Sequence, residues 1–114
     1  MPSDTDRDIA LAQQEGHVEI NTVAWVTRYV GGSGSDRMAF HLALEPNDTV
    51  RTVLRRLSAR FPELQRALWD SVSGELGEHI EVVVNGAILG VRHGLESELK
   101  DGDRILLFGQ YMGG

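Results

Sequence analysis

Arg104-Ile105-Leu106-Leu107-Phe108-Gly109-Gln110-Tyr111-Met112-Gly113-Gly114 is the stretch on which the fold turns. Ile105 to Phe108 is a short apolar run, of strand length and too brief for an independent helix. It leads into Gly113-Gly114, a pair without Cβ atoms that can thread a narrow channel and take backbone angles closed to other residues. The spacing predicts a strand over Arg104 to Phe108 that delivers a thin tail, residues 111–114, ending in a carboxylate.

Before this strand, Lys100-Asp101-Gly102-Asp103 reads as a turn and Leu95 to Leu99 as a one-turn segment. Ile80 to Asn85 alternates, with Ile80, Val82 and Val84 on one face, and is a strand. Asn85-Gly86 is a tight-turn signal, which makes Ala87 to Val91 a short edge strand. Leu64, Leu68 and Val72 predict a short helix, Ser73 to Gly77 a loop, and Trp69 a cover for one end of the core.

The main helix lies further upstream. Val50, Val53, Leu54, Leu57 and Phe61 form one apolar stripe at helical spacing, capped by Asp48 or Thr49 and stopped by Pro62. Arg51, Arg55, Arg56 and Arg60 take the other faces. Met38 to Leu44 is a strand with Met38, Phe40, Leu42 and Leu44 aligned. Val18 to Val30 is the first strand, apolar on both alternating faces and therefore expected at the centre of the sheet. The loop between them, Gly31 to Asp36, fits neither a phosphate-binding glycine motif, since Arg37 stands where the third glycine belongs, nor a nucleophile elbow, since Ser35 takes the place of the last glycine. The two strands form a hairpin.

An opening hairpin, one main helix and a return to strands give an α+β chain with a mixed sheet of four to five strands packed on that helix. The crossover favours a last strand parallel to the first. The expected organisation is a flexible N-terminal tail over 1–17, one domain over 18–110, and a flexible C-terminal tail over 111–114.

Composition narrows the function. The chain has 114 residues, no cysteine and a net charge of -6. Absence of cysteine excludes disulfides, thiolate metal sites and a cysteine nucleophile within it. An acidic surface argues against nucleic acid as partner. No membrane-spanning run and no leader pattern are present, so a cytoplasmic, monomeric protein is expected. His17, His41, His79 and His93 lack metal-ligand spacing. Asn47-Asp48-Thr49 is formally a glycosylation acceptor and carries no weight without a leader.

Four stretches together resemble the ubiquitin-like β-grasp proteins, above all the sulfur carriers of the ThiS and MoaD kind and the small archaeal modifier proteins. They are Asp48-Thr49-Val50 with Leu54, Leu57, Phe61 and Pro62; Ile80 to Gly86; Leu99 to Ile105; and Gly113-Gly114. The resemblance departs at Gly109 and Gln110, where the MoaD kind often carries two prolines, and at Tyr111 and Met112, which are larger than the residues common there.

The resemblance implies a β-grasp fold and a chain that is substrate and carrier rather than enzyme. A free carboxylate does not acylate at neutral pH, so an adenylating enzyme is implied as partner, with ATP used by that enzyme and no cofactor or metal bound here. Gly114 then carries the adenylate, thiocarboxylate or isopeptide, Gly113 forms the neck, and Tyr111 and Met112 contact the partner. Lys100, the single lysine, and the N-terminal amine are the candidate acceptors for a further copy. Three readings stand: a modifier of target-protein lysines that also carries sulfur; a dedicated sulfur carrier for molybdopterin, thiamine or tRNA thiolation; and a β-grasp binding module that is never activated.

Overall fold

A computed structural model of the chain describes residues 16–109. Residues 1–15 of the expected N-terminal tail, and Gln110 to Gly114, lie outside them. The described residues form a five-stranded mixed sheet and two α-helices, with strands β1 (His17–Val23), β2 (Arg37–Ala43), β3 (Ile80–Val84), β4 (Ala87–Ile88) and β5 (Arg104–Gly109). Helices α1 (Val50–Ser58) and α2 (Pro62–Leu68) fall between β2 and β3. The sheet order is β2-β1-β5-β3-β4, with β1 and β5 parallel and every other pair antiparallel. The fold is therefore α+β of the β-grasp kind, and the last strand is central and parallel to the first, as the crossover argument requires.

Alternation explains the core. Val18 and Ile20 of β1, Ile80, Val82 and Val84 of β3, and Ile105 and Leu107 of β5 all point to one face and are buried. Against them lies the α1 stripe, Val50, Val53, Leu54 and Leu57, each with no exposed surface. Burying a side chain of this size is worth about 1.5–3 kcal/mol, so this interface dominates the stability of the domain.

The expected strand over Val18 to Val30 is corrected. It ends at Val23, and Ala24–Val30 is a 3-10 helix. Ala24 has φ 55, a left-handed angle that breaks the extended run. Thr27 Oγ1 then donates to the Ala24 carbonyl at 2.7 Å, and Gly31, at φ 90, ends the helix. The turn of helix sends Val26, Thr27 and Val30 into the core, where alternation would have left half of the segment outside. The connection between the hairpin strands thus contains this helix as well as the glycine loop.

The main helix is also shorter than its stripe. It stops at Ser58, and Phe61 instead precedes α2, where Pro62 occupies the first turn. A proline lacks the N–H that a first turn leaves unpaired anyway, so Pro62 ends one helix and begins the next. Phe61 still packs inward, edge-on to Phe40 with ring centroids 5.5 Å apart. Leu64 and Leu68 are buried as expected, but Val72 is 93% exposed and is not part of that stripe. The chain turns there, with the Gly74 N–H donating to Asp70 at 2.8 Å. The expected edge strand over Ala87 to Val91 is confined to Ala87–Ile88.

Thr49 caps α1 with Thr52 as its reciprocal partner, which frees Asp48 for another task. The Asp48 carboxylate accepts both terminal nitrogens of Arg56, at 2.7 and 2.6 Å, together with Thr52 Oγ1 and the Glu45 N–H. Hydrogen bonding from Arg56, the largest cause, holds the Asp48 carboxyl at about 2 against an ordinary 3.8. Because the folded value is the lower one, this stabilisation is fully present above about pH 4 and is lost as pH falls through about 2. With Arg56 partly exposed, it amounts to about 1–2 kcal/mol. Asp48→Asn is therefore expected to lower the urea midpoint at neutral pH and to flatten its decline between about pH 4 and 2. An unchanged acid limb would show that the pair carries no such linkage.

Candidate functional site

The site is built where β5 leaves the sheet. Strand β5 lies between β1 and β3, with Gly109 opposite Ile80, Phe108 opposite Glu81 and Leu106 opposite Val83. Pairing with β1 as far as Leu107 and with β3 as far as Gly109 sets the direction of the strand at its end. The segment that follows therefore starts from the middle of a rigid sheet rather than from a loose edge.

Its inner side is closed by an aromatic residue from the other end of the chain. The Trp25 indole lies directly against Gly109, and a Cβ there would overlap the ring. Only glycine fits between strand and ring. Tyr29 meets Trp25 edge-on, with centroids 5.8 Å apart and planes at 89°. Ala24, immediately before Trp25, holds its left-handed angle at a cost of about 1–2 kcal/mol. The aromatic pair is half-buried and stands beside the exit. Sequence reading missed this contact, since it placed Trp25 in the middle of a strand. Gly31 just past Val30 was the local signal that a helix stops there.

The outer sheet face is the second part of the site. Both α-helices pack on the inner face, and among the described residues no helix covers the outer one. Register aligns Ala39, Asn21, Leu106, Val83 and Ile88 in one row across all five strands. Phe108 stands in the next row toward the exit, beside Glu81. Leu106, Val83 and Phe108 are half-buried and Ile88 is 50% exposed, so an apolar strip runs from β5 to β4.

The β1–β2 side of the same face is polar. Glu19 accepts from Asn21 Nδ2 at 2.8 Å and lies 3.1 Å from His41 Nε2, with Arg104 3.9 Å away. Arg37 Nε donates to Asn21 Oδ1 at 3.2 Å. The Asn21 hydrogen bond, foremost, holds the Glu19 carboxyl below its ordinary value. The face thus offers an apolar strip with a charged margin, and the strip is nearest the exit of the tail.

Of the residues singled out by sequence, Tyr111, Met112, Gly113 and Gly114 lie outside the described residues. Lys100 is described and lies elsewhere, in the exposed turn that enters β5. Among the described residues no group of His, Asp or Glu is arranged to hold a metal, and no helix is long and apolar enough to cross a membrane.

A model of the ThiS family matches residues 35–114. The solution structure of the Haloferax volcanii protein HVO 2177 is similar at 27% identity and a TM-score of 0.66, covering 87% of each chain. The crystal structure of SAMP1 from the same organism is 26% identical with a TM-score of 0.68, over 87% of this chain and 100% of that one. The solution structure of small archaeal modifier protein 1 from Methanosarcina acetivorans shares the fold at 22% identity and a TM-score of 0.67, over 87% of this chain and 97% of that one. A comparison with curated proteins returns no match.

Proposed function

Because this chain belongs to the ThiS family, we propose that it is a ubiquitin-like protein modifier, activated at Gly114 and joined to lysines of other proteins. The coarser part of that reading, a ubiquitin-fold small modifier or sulfur carrier, rests on the family. The modifier reading is supported by the likeness to SAMP1, which runs over the whole of that chain.

One observation carries the proposal. The family match extends through Gly113-Gly114, and β5, the strand that feeds those residues, is the central strand of the sheet. The chain serves as substrate. A Gly114 carboxylate oxygen attacks the α-phosphorus of ATP in the partner, and the bond to the β-phosphate breaks with loss of pyrophosphate. A lysine amine of the target then attacks the acyl carbon, AMP departs, and the amine proton is released to water. Tyr111 and Met112 supply contact area in the partner's channel, and Gly113 the thin neck. The outer sheet face, continuous with the exit, is where the activating enzyme holds the domain.

A second reading, a dedicated sulfur carrier, is favoured by the family model itself. There a sulfur nucleophile displaces AMP and leaves a thiocarboxylate. Mass analysis of N-terminally tagged protein from its native host separates the two. Isopeptides between Gly114 and lysines of other proteins are expected. Free protein with one oxygen replaced by sulfur, and no adducts, would establish the carrier role instead. An unmodified terminus in every fraction, with the activating enzyme present, would leave a binding module.

A further inference from the structure

We infer that Trp25 is a positioning residue for activation of this chain: its indole, seated on Gly109, holds the end of β5 so that the residues carrying Gly114 start from a fixed point. This role rests on the activation reading above and adds to it the group that fixes where the tail begins.

The sheet alone does not hold that point. Strand β5 outlasts its neighbour β1. Parallel pairing between them runs from Glu19 opposite Arg104 to Thr22 opposite Leu107, and β1 ends at Val23. Phe108 and Gly109 are paired with Glu81 and Ile80 of β3 on one side. On the other side the chain has turned away at Ala24, whose φ of 55 opens the 3-10 helix. A strand end paired on one side only frays readily. Gly109 adds to this, since it has no side chain with which to anchor itself and is the freest of residues. The edge of the Trp25 indole, Cε2, Cζ2 and Nε1, occupies the space where that side chain would stand, on the inner face of the sheet. Gly109 is buried there.

The ring is itself fixed. Val26 and Thr27, which follow it, have no exposed surface. Thr27 Oγ1 donates to the Ala24 carbonyl at 2.7 Å and accepts from the Gly34 N–H at 2.9 Å. Tyr29 braces the indole edge-on, with centroids 5.8 Å apart. The left-handed angle at Ala24 immediately precedes the ring, and a residue with a Cβ keeps such an angle only where its surroundings enforce it.

The consequence is kinetic. Docking of the domain sets affinity, whereas reaction requires a carboxylate oxygen to reach the α-phosphorus of ATP in line. A displacement of about 1 Å at such a step costs on the order of 100-fold in rate. Without the indole, Phe108 and Gly109 join the freely moving backbone between the docked domain and the reacting group. The loss then falls on the maximal rate and not on the half-saturating concentration.

The test is ATP-dependent pyrophosphate exchange, with the full chain titrated into extract of a native-host strain that lacks it. Parent, Trp25→Ala, Trp25→Phe, Gly109→Ala and the Trp25→Ala, Gly109→Ala double variant are compared. Backbone amide order parameters of the free proteins are measured alongside, at a temperature where thermal unfolding shows each variant folded. Trp25→Ala is expected to lower the maximal rate at least about tenfold, with the half-saturating concentration within about twofold. The order parameters of Phe108 and Gly109 should fall from about 0.85 to below about 0.6, while those of Ile105 and Leu107 hold. Trp25→Phe keeps an aromatic ring and should recover most of the rate. Gly109→Ala, whose Cβ displaces the ring, should lose rate as Trp25→Ala does, and the double variant should lose no more than either, because both remove one contact. Rigid Phe108 and Gly109 in Trp25→Ala, or an unchanged maximal rate, would overturn the role. A raised half-saturating concentration at an unchanged maximal rate would overturn it too, by making the indole a surface that the partner grips. No stimulation by the parent would instead remove the activation reading, and the order parameters would still report whether the ring holds the strand.

Discussion

Deletion of Gly113 and Gly114 is expected to abolish covalent attachment completely while leaving the domain folded. The described core closes at Gly109, whose strand is hydrogen-bonded on both sides. Among the described residues, the packed interface of β1, β3, β5 and α1 is built without the deleted pair. The unfolding free energy should therefore move by no more than about 0.5 kcal/mol, as for changes away from packed features. The chemistry responds differently. A chain ending at Met112 presents its carboxylate beside a Cβ and a long side chain, which a channel shaped for glycine does not admit. Attachment should fall below detection by mass analysis. A truncated protein that still forms adducts would remove Gly114 from its proposed role.

Leu106→Asp is the second change with a large expected effect. Leu106 sits at the middle of the outer row, between Asn21 and Val83. A carboxylate there puts a charge into the apolar strip without entering the inner core. If the activating enzyme grips this face, loss of a central contact costs about 2–4 kcal/mol of binding, or roughly 30-fold to 1,000-fold in affinity. The loss should be seen mainly in KM for adenylation, with kcat far less affected, because the tail itself is intact. Val72→Asp is the matched control. Val72 is 93% exposed and lies in the turn after α2, off this face. It should leave adenylation and stability unchanged. Equal effects of both substitutions would mean that general charge, rather than the strip, governs recognition.

The sequence was most legible where local pattern and long-range packing agree. In β3, alternation, the apolar face and the Asn85-Gly86 turn point the same way, and Asn85 and Gly86 do take left-handed angles of 51° and 85°. The stripe on α1 was equally direct, since each of its first four positions is buried. The segment Val18 to Val30 misled because β-branched and aromatic residues suit a strand locally, while Val26 and Val30 also share a helical face. Tertiary packing chose the helix, and Gly31 was the only nearby residue to announce it. The contact of Trp25 with Gly109 joins residues remote in sequence, so no local signal could reveal it. The polar half of the outer face, Glu19 with Asn21, His41 and Arg37, likewise depends on strand register, which pairs residues that the sequence keeps apart.

The most direct test of the central claim is ATP-dependent pyrophosphate exchange in native-host extract on addition of the purified chain. Formation of an acyl adenylate is reversible, so a chain activated at Gly114 should stimulate exchange between labelled pyrophosphate and ATP in proportion to its concentration, and the form lacking Gly113 and Gly114 should not. No stimulation by the intact chain, in extract whose other adenylating enzymes respond to their own substrates, would contradict activation and leave the fold as a binding module.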